Sequence, residues 1–133
     1  MSKLHHLAIT ATDTSKTAPF YDAVLSPLGY ERRIASDQLC TWVGQSPEIL
    51  LYKTEGEDCS PHTHGRPGWH HNAWEVDDRD TVDAVHRAVT EGGWTIVHSP
   101  REYPEYRDGY YAVFVADPDG VRWEFAHIPN PTH

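Results

Sequence analysis

Apolar and polar positions alternate from Leu4 onward: Leu4, His6, Ala8 and Thr10 fall on one side of an extended chain, and His5, Leu7 and Ile9 on the other. That is the period of a half-buried strand, ending near Thr12. Asp13 and Thr14 are N-cap candidates. Phe20, Val24, Leu25 and Leu28 then return at helical spacing until Gly29 supplies a stop, with Pro19 placed in the first turn, so the reading is a helix of roughly three turns. Three short strands are expected at 31–35, 38–43 and 48–53, separated by Ser36-Asp37 and Gly44-Gln45-Ser46-Pro47. Residues 54–68, rich in Gly, Pro, Ser and acidic side chains, read as a connecting loop. The pattern then restarts with a strand at 69–76, a cap at Asp78, and a helix marked by Val82, Val85 and Val89 and stopped by Gly92-Gly93. Strands follow at 94–98, 110–116 and 121–127, with the turn Asp117-Pro118-Asp119-Gly120 between the last two.

Each half therefore has the order βαβββ. An offset of 65 residues pairs His5 with His70, His6 with His71, Ala8 with Ala73, Asp13 with Asp78 and Val24 with Val89. A repeated unit that cannot bury its sheet face alone implies two modules side by side, their sheets curving around a shared cleft. The expected fold is α+β, one domain over 1–133, with module 1 at about 1–53, a linker at 54–68 and module 2 at about 69–128.

Composition narrows the function. The chain has 133 residues, 38% of them hydrophobic, enough for a core without disulfides or structural metal. Its net charge of -9 and scattered Lys/Arg leave no basic stripe for nucleic acid. No apolar run approaches the ~20 residues that span a bilayer, and no signal-peptide core follows Met1. A cytoplasmic protein is expected, with Cys40 and Cys59 as reduced thiols. Ten histidines are an excess whose meaning depends on position.

Side-chain direction selects among them. His6 shares a strand face with the small Ala8, and His71 with the small Ala73, which leaves room beside each imidazole. On the last strand Val121, Trp123, Phe125 and His127 form the core side, so Arg122, Glu124 and Ala126 face solvent or a cleft. If the two modules are related by a pseudo-twofold axis, His6 and His71 converge and Glu124 completes a site for one borderline divalent ion. Ordinary alternatives stay open here: hydrogen-bonded core histidines, and a glutamate in solvated ion pairs. Arg122 suits an anionic substrate group or, equally, a structural ion pair. The run 103–111, with Tyr110 in it, has the content of a pocket lip where a phenol can orient a substrate or donate a proton. His62 and His64 read as solvated loop residues, His5 and His70 as structural, and the terminal His133 is expected to be disordered.

Four stretches, Leu4-His5-His6-Leu7-Ala8-Ile9, Pro19-Phe20-Tyr21-Asp22-Ala23-Val24-Leu25, His71-Asn72-Ala73-Trp74-Glu75-Val76-Asp77-Asp78 and Asp117-Pro118-Asp119-Gly120-Val121-Arg122-Trp123-Glu124, occur in an order that resembles the vicinal oxygen chelate superfamily, the glyoxalase/bleomycin-resistance/dioxygenase group. The resemblance covers nearly the whole chain. It implies that His6, His71 and Glu124 are ligands of a divalent ion (Zn, Mn, Ni, Fe or Co), and that two copies pair as a homodimer. Each site would then take His6 from one subunit and His71 and Glu124 from the other. It further implies a small oxygenated substrate; with the face and lip positions read above, Glu124, Tyr110 and Arg122 are the residues expected to act on it. Glyoxalase I carries a fourth ligand, a glutamate on the fourth strand, where 48–52 here offers apolar residues. A three-ligand set is closer to the fosfomycin-modifying and extradiol dioxygenase branches. Three classes follow: a lyase, isomerase or transferase; an iron-dependent dioxygenase; and a metal-free binding protein.

Overall fold

The side-chain oxygen of Asp13 accepts a hydrogen bond from the Ser15 amide at 3.0 Å, and that of Asp78 accepts from the Thr81 amide at 2.8 Å; these two N-caps start the two helices of the computed structural model. The structure describes residues 1–129, and His133 lies outside them. The first half runs β1 (His6–Ala11), α1 (Thr14–Leu25), a 3₁₀ turn (Ser26–Leu28), β2 (Glu31–Ala35), β3 (Leu39–Val43) and β4 (Glu48–Lys53). The second runs β5 (Asn72–Val76), α2 (Arg79–Gly92), β6 (Thr95–Glu102), β7 (Tyr111–Ala116) and β8 (Arg122–His127).

Each half forms its own four-stranded sheet, in the orders β1-β4-β3-β2 and β5-β8-β7-β6. The first and last strands of each half pair in parallel, and the other pairs are antiparallel. The repeat read from the sequence is thus a repeat of topology. In the first half Phe20, Tyr21, Val24 and Leu25 of α1 are buried, as are Trp42, Ile49 and Leu51 of the sheet. In the second, Val82, Val85 and Val89 of α2 are fully buried, as are Val113, Val115 and Phe125. Burial of these aliphatic and aromatic groups stabilises each helix on one sheet face by about 1.5–3 kcal/mol per side chain.

Three expectations need correction. Pro19 lies inside α1, beyond its first turn, where its missing amide costs a helical hydrogen bond; the helix persists because Ala18, Phe20 and Tyr21 around it are buried. β5 begins at Asn72, so Trp69, His70 and His71 precede the ladder. β6 continues past Pro100 to Glu102, because it is an edge strand and its pairing with β7 shifts register between Ile96 and His98 and between His98 and Arg101.

Chain contacts divide into two units, Met1–Pro61 and His62–His133. The stretch from His62 belongs with the second half for a local reason. The His62 amide donates to the Asp119 carbonyl at 2.8 Å, and His62 Nε2 lies 2.8 Å from the Trp69 carbonyl. The buried Asp117 carboxylate organises the facing turn by accepting from the amides of Asp119 (2.8 Å) and Val121 (2.9 Å). Gly120 closes that turn at φ 85°, and a Cβ there would sit 2.6 Å from the His62 carbonyl oxygen. Gly120→Ala is expected to destabilise the protein by roughly 1–3 kcal/mol, from the left-handed backbone and the clash together. Urea denaturation followed by tryptophan fluorescence measures it; an unchanged midpoint would contradict the account. Among the described residues no helix is long and apolar enough to cross a membrane.

Candidate functional site

With Trp74, Val113, Val115, Trp123 and Phe125 buried on the helix side of the second sheet, strand alternation turns their neighbours to the other face. One cross-strand row on that face reads His98, Phe114, Glu124, Ala73 across β6, β7, β8 and β5. The next reads Arg101, Ala112, Ala126, Glu75. The two alanines form a floor on which Tyr103 packs, joined by Tyr110, Phe114 and Ile128. Arg122, two residues before Glu124, shares its face. Over this surface lies a cavity of about 540 Å³, within the range of small-molecule sites. Its walls carry four histidines (His64, His70, His71 and His98), two arginines (Arg101 and Arg122), Glu124, and four aromatic rings (Tyr103, Tyr106, Tyr110 and Phe114).

Glu124 is 3% exposed. A carboxylate stripped of water needs hydrogen bonds or a cation, and it has two partners: the Tyr110 hydroxyl donates to Oε2, and His71 Nε2 lies 3.1 Å from Oε1. His71 Nδ1 in turn lies 2.7 Å from Nδ1 of His70. Two imidazole nitrogens at that distance share one proton, one ring donating and the other accepting. The first module repeats the arrangement, with Nδ1 of His5 and His6 2.9 Å apart. In both copies the second histidine of the pair thus engages its neighbour through Nδ1, which leaves Nε2 for another partner.

Electrostatics separate the tyrosines and histidines. Burial, followed by the hydrogen bond to Glu124 and its charge, pushes Tyr110 far above an ordinary phenol, so it stays protonated and a donor. Burial also raises Tyr103, while Arg101, its Cζ 3.7 Å from the ring centre, opposes that rise. Burial lowers His64, and the positive charge of Arg122 lowers it further, both favouring the neutral imidazole. His64 stands 4.4 Å from the His70 ring, centre to centre, and its buried Nδ1 has no hydrogen-bond partner among the described residues.

The structure thus gathers His71, Glu124, Tyr110 and Arg122 on one cavity. His6 is an exposed residue at the start of β1. His70 and His64, read from sequence as structural and as loop, both line the cavity. His98, Arg101 and Phe114 were not singled out at all. Strand alternation alone would set His98 and Arg101 on opposite faces, and the register shift between them brings both to this one. No local signal brings in His64, which depends on the hydrogen bond between His62 and the distant Asp119.

A divalent ion suits the donor set. Two donors about 2.1 Å from one ion stand about 3.0 Å apart at a right angle and about 3.4 Å at the tetrahedral angle; His71 Nε2 and Glu124 Oε1 are 3.1 Å apart. Among the described residues no group of three His, Cys, Asp or Glu side chains is gathered that could hold a metal. His71 and Glu124 therefore make two of the three donors expected.

Two βαβββ modules, each with its parallel outer pair, define an α+β protein of the glyoxalase/bleomycin-resistance fold. The model of the Glyoxalase/Bleomycin resistance protein/Dioxygenase superfamily matches residues 3–125, and the chain belongs to that superfamily. It is 25% identical over 122 residues to the uncharacterised protein YqjT of Bacillus subtilis strain 168, covering 91% of this chain and 95% of YqjT. The crystal structure of a candidate glyoxalase from Bacillus halodurans superposes with a TM-score of 0.77 at 25% identity, covering 94% of this chain and 95% of that one. Lactoylglutathione lyase from Agrobacterium tumefaciens has a TM-score of 0.65 at 23% identity, with 96% and 94% covered, a likeness of fold.

Proposed function

We propose that the protein is a cytoplasmic metal-dependent enzyme, a homodimer that binds a small oxygenated substrate at one divalent ion per site. His71 and Glu124 of one copy and His6 of a second copy would hold the ion. The observation that carries the reading is the pairing of His71 with the buried Glu124, whose 3.1 Å separation matches two donors to one centre. The metal supplies Lewis acidity, stabilising negative charge on vicinal oxygens of the substrate.

The remaining steps fall to the chain itself. His70 Nδ1 accepts the proton that His71 carries on Nδ1 when its Nε2 is a ligand, fixing the ring's tautomer and orientation. Tyr110, kept protonated by burial, donates its hydroxyl proton to Oε2 of Glu124 and so holds that carboxylate at the edge of the substrate space. Phe114, Tyr103 and Tyr106 give that space apolar walls. Both cysteines are free thiols, which supports a reducing compartment.

Elemental analysis of the purified protein tests the reading. About one ion per chain is expected, with His6→Ala, His71→Ala and Glu124→Ala each losing most of it while their circular dichroism is unchanged. Stoichiometric metal in all three variants would overturn the ligand set. Zinc, manganese or nickel favours a lyase, isomerase or transferase, whereas iron with activity lost on oxidation favours a dioxygenase.

A further inference from the structure

Arg122 makes no side-chain hydrogen bond or ion pair with any described residue, although acidic residues outnumber basic ones 20 to 11 in this chain. Other arginines are matched: Arg32 with Asp22, Arg79 with Glu102, and Arg101 with Glu105 at 3.5 Å. Arg33, Arg66 and Arg87 are exposed, and water serves them. Arg122 is half-buried on the cavity wall. The carboxylate on that wall, Glu124, is already engaged by Tyr110 and His71. His64 beside Arg122 offers no counter-charge, since an imidazole is either neutral or cationic. An acidic protein therefore keeps a cationic cavity with one guanidinium unmatched, which favours an anionic occupant.

Shape narrows the class. Four aromatic rings border the same space, and Tyr103 and Tyr106 are nearly parallel, with centres 5.3 Å apart. The stacked pair leaves no room for a ring between its members, so an aromatic occupant meets their edges and the rings of Tyr110 and Phe114. Arg122 and Glu124 alternate along β8, so their backbones stand about 7 Å apart, a distance one ring with a substituent can bridge. A planar guanidinium fork pairs with a carboxylate through two parallel hydrogen bonds. We infer that the substrate is a small aromatic acid, its carboxylate held by Arg122 and its ring among Tyr103, Tyr106, Tyr110 and Phe114. This rests on the reading of the cavity as the substrate site and is independent of which metal is bound.

Calorimetric titration at low ionic strength compares 3,4-dihydroxybenzoate with catechol, its uncharged counterpart, on the full chain before and after chelator treatment. The acid is expected to bind at least roughly tenfold tighter than catechol in both forms, as charge-assisted hydrogen bonds allow. Arg122→Gln should erase that preference without changing catechol affinity, metal content or circular dichroism, and Arg122→Lys should keep part of it. Equal affinity for acid and catechol, or an undiminished preference in Arg122→Gln, overturns the inference. Benzoate against phenylphosphonate decides the anion: tighter phosphonate binding overturns the carboxylate. If the metal analysis fails while the preference for the acid survives, only the metal reading falls. If metal is bound without the preference, only this inference falls.

Discussion

The glutathione hemithioacetal of methylglyoxal is expected to turn over ~10²–10⁴ times more slowly than on an enzyme that keeps a fourth, metal-bound carboxylate as its base. The reason lies in the repeat. Glu124 sits opposite Ala73 on β5; 65 residues earlier, Ala8 sits opposite Leu50 on β4. Leu50 thus occupies in the first module the register position that Glu124 holds in the second. Bringing Glu48 into that place would take a slip of two residues, against the register in which β4 pairs with β1 on one side and β3 on the other. Glu48 pairs in register with His6. Thioester formation followed spectrophotometrically with zinc, nickel and manganese in turn checks this, and rapid turnover with any of them would show that a carboxylate other than the one sought at position 50 serves as base.

Mixing two inactive chains should restore metal binding. If His6 comes from one copy and His71 with Glu124 from the other, a dimer of one His6→Ala chain and one Glu124→Ala chain contains one intact set. Neither homodimer contains any. With random exchange about a quarter of all sites are regained, because half of the dimers are mixed and each carries one complete site out of two. Metal titration of the mixture measures recovery, and pull-down of a tagged chain confirms exchange. Exchange without recovery would mean that each site is built from a single chain.

What could be read from the sequence, and what could not, follows from the range of the interactions. Glu124 was legible because Trp123 and Phe125 flank it on a strand, and alternation alone turns it away from the core. The caps at Asp13 and Asp78 were legible because a cap is a contact between near neighbours. His70 was misassigned because alternation was applied to residues that precede the ladder, where the chain turns freely and both His70 and His71 reach the cavity. His64 depends on a backbone bond between positions far apart in sequence, for which no pattern exists. Arg101 and His98 were missed because Pro100 reads as a strand end, and because the register shift that brings both to one face of this edge strand has no pattern in the sequence.

That edge strand also bears on how the protein behaves in crowded solution. An outermost strand with its amides and carbonyls in regular array is a template for another chain to stack upon, the first step toward insoluble β-aggregates. Pro100 removes one donor from β6, and two register shifts break the spacing of the rest. One of the two outermost strands of the other sheet, β2, carries Glu31, Arg32 and Arg33 in succession, all exposed. An incoming strand would meet charge on one rim and a broken ladder on the other, so growth from these two edges is self-limiting.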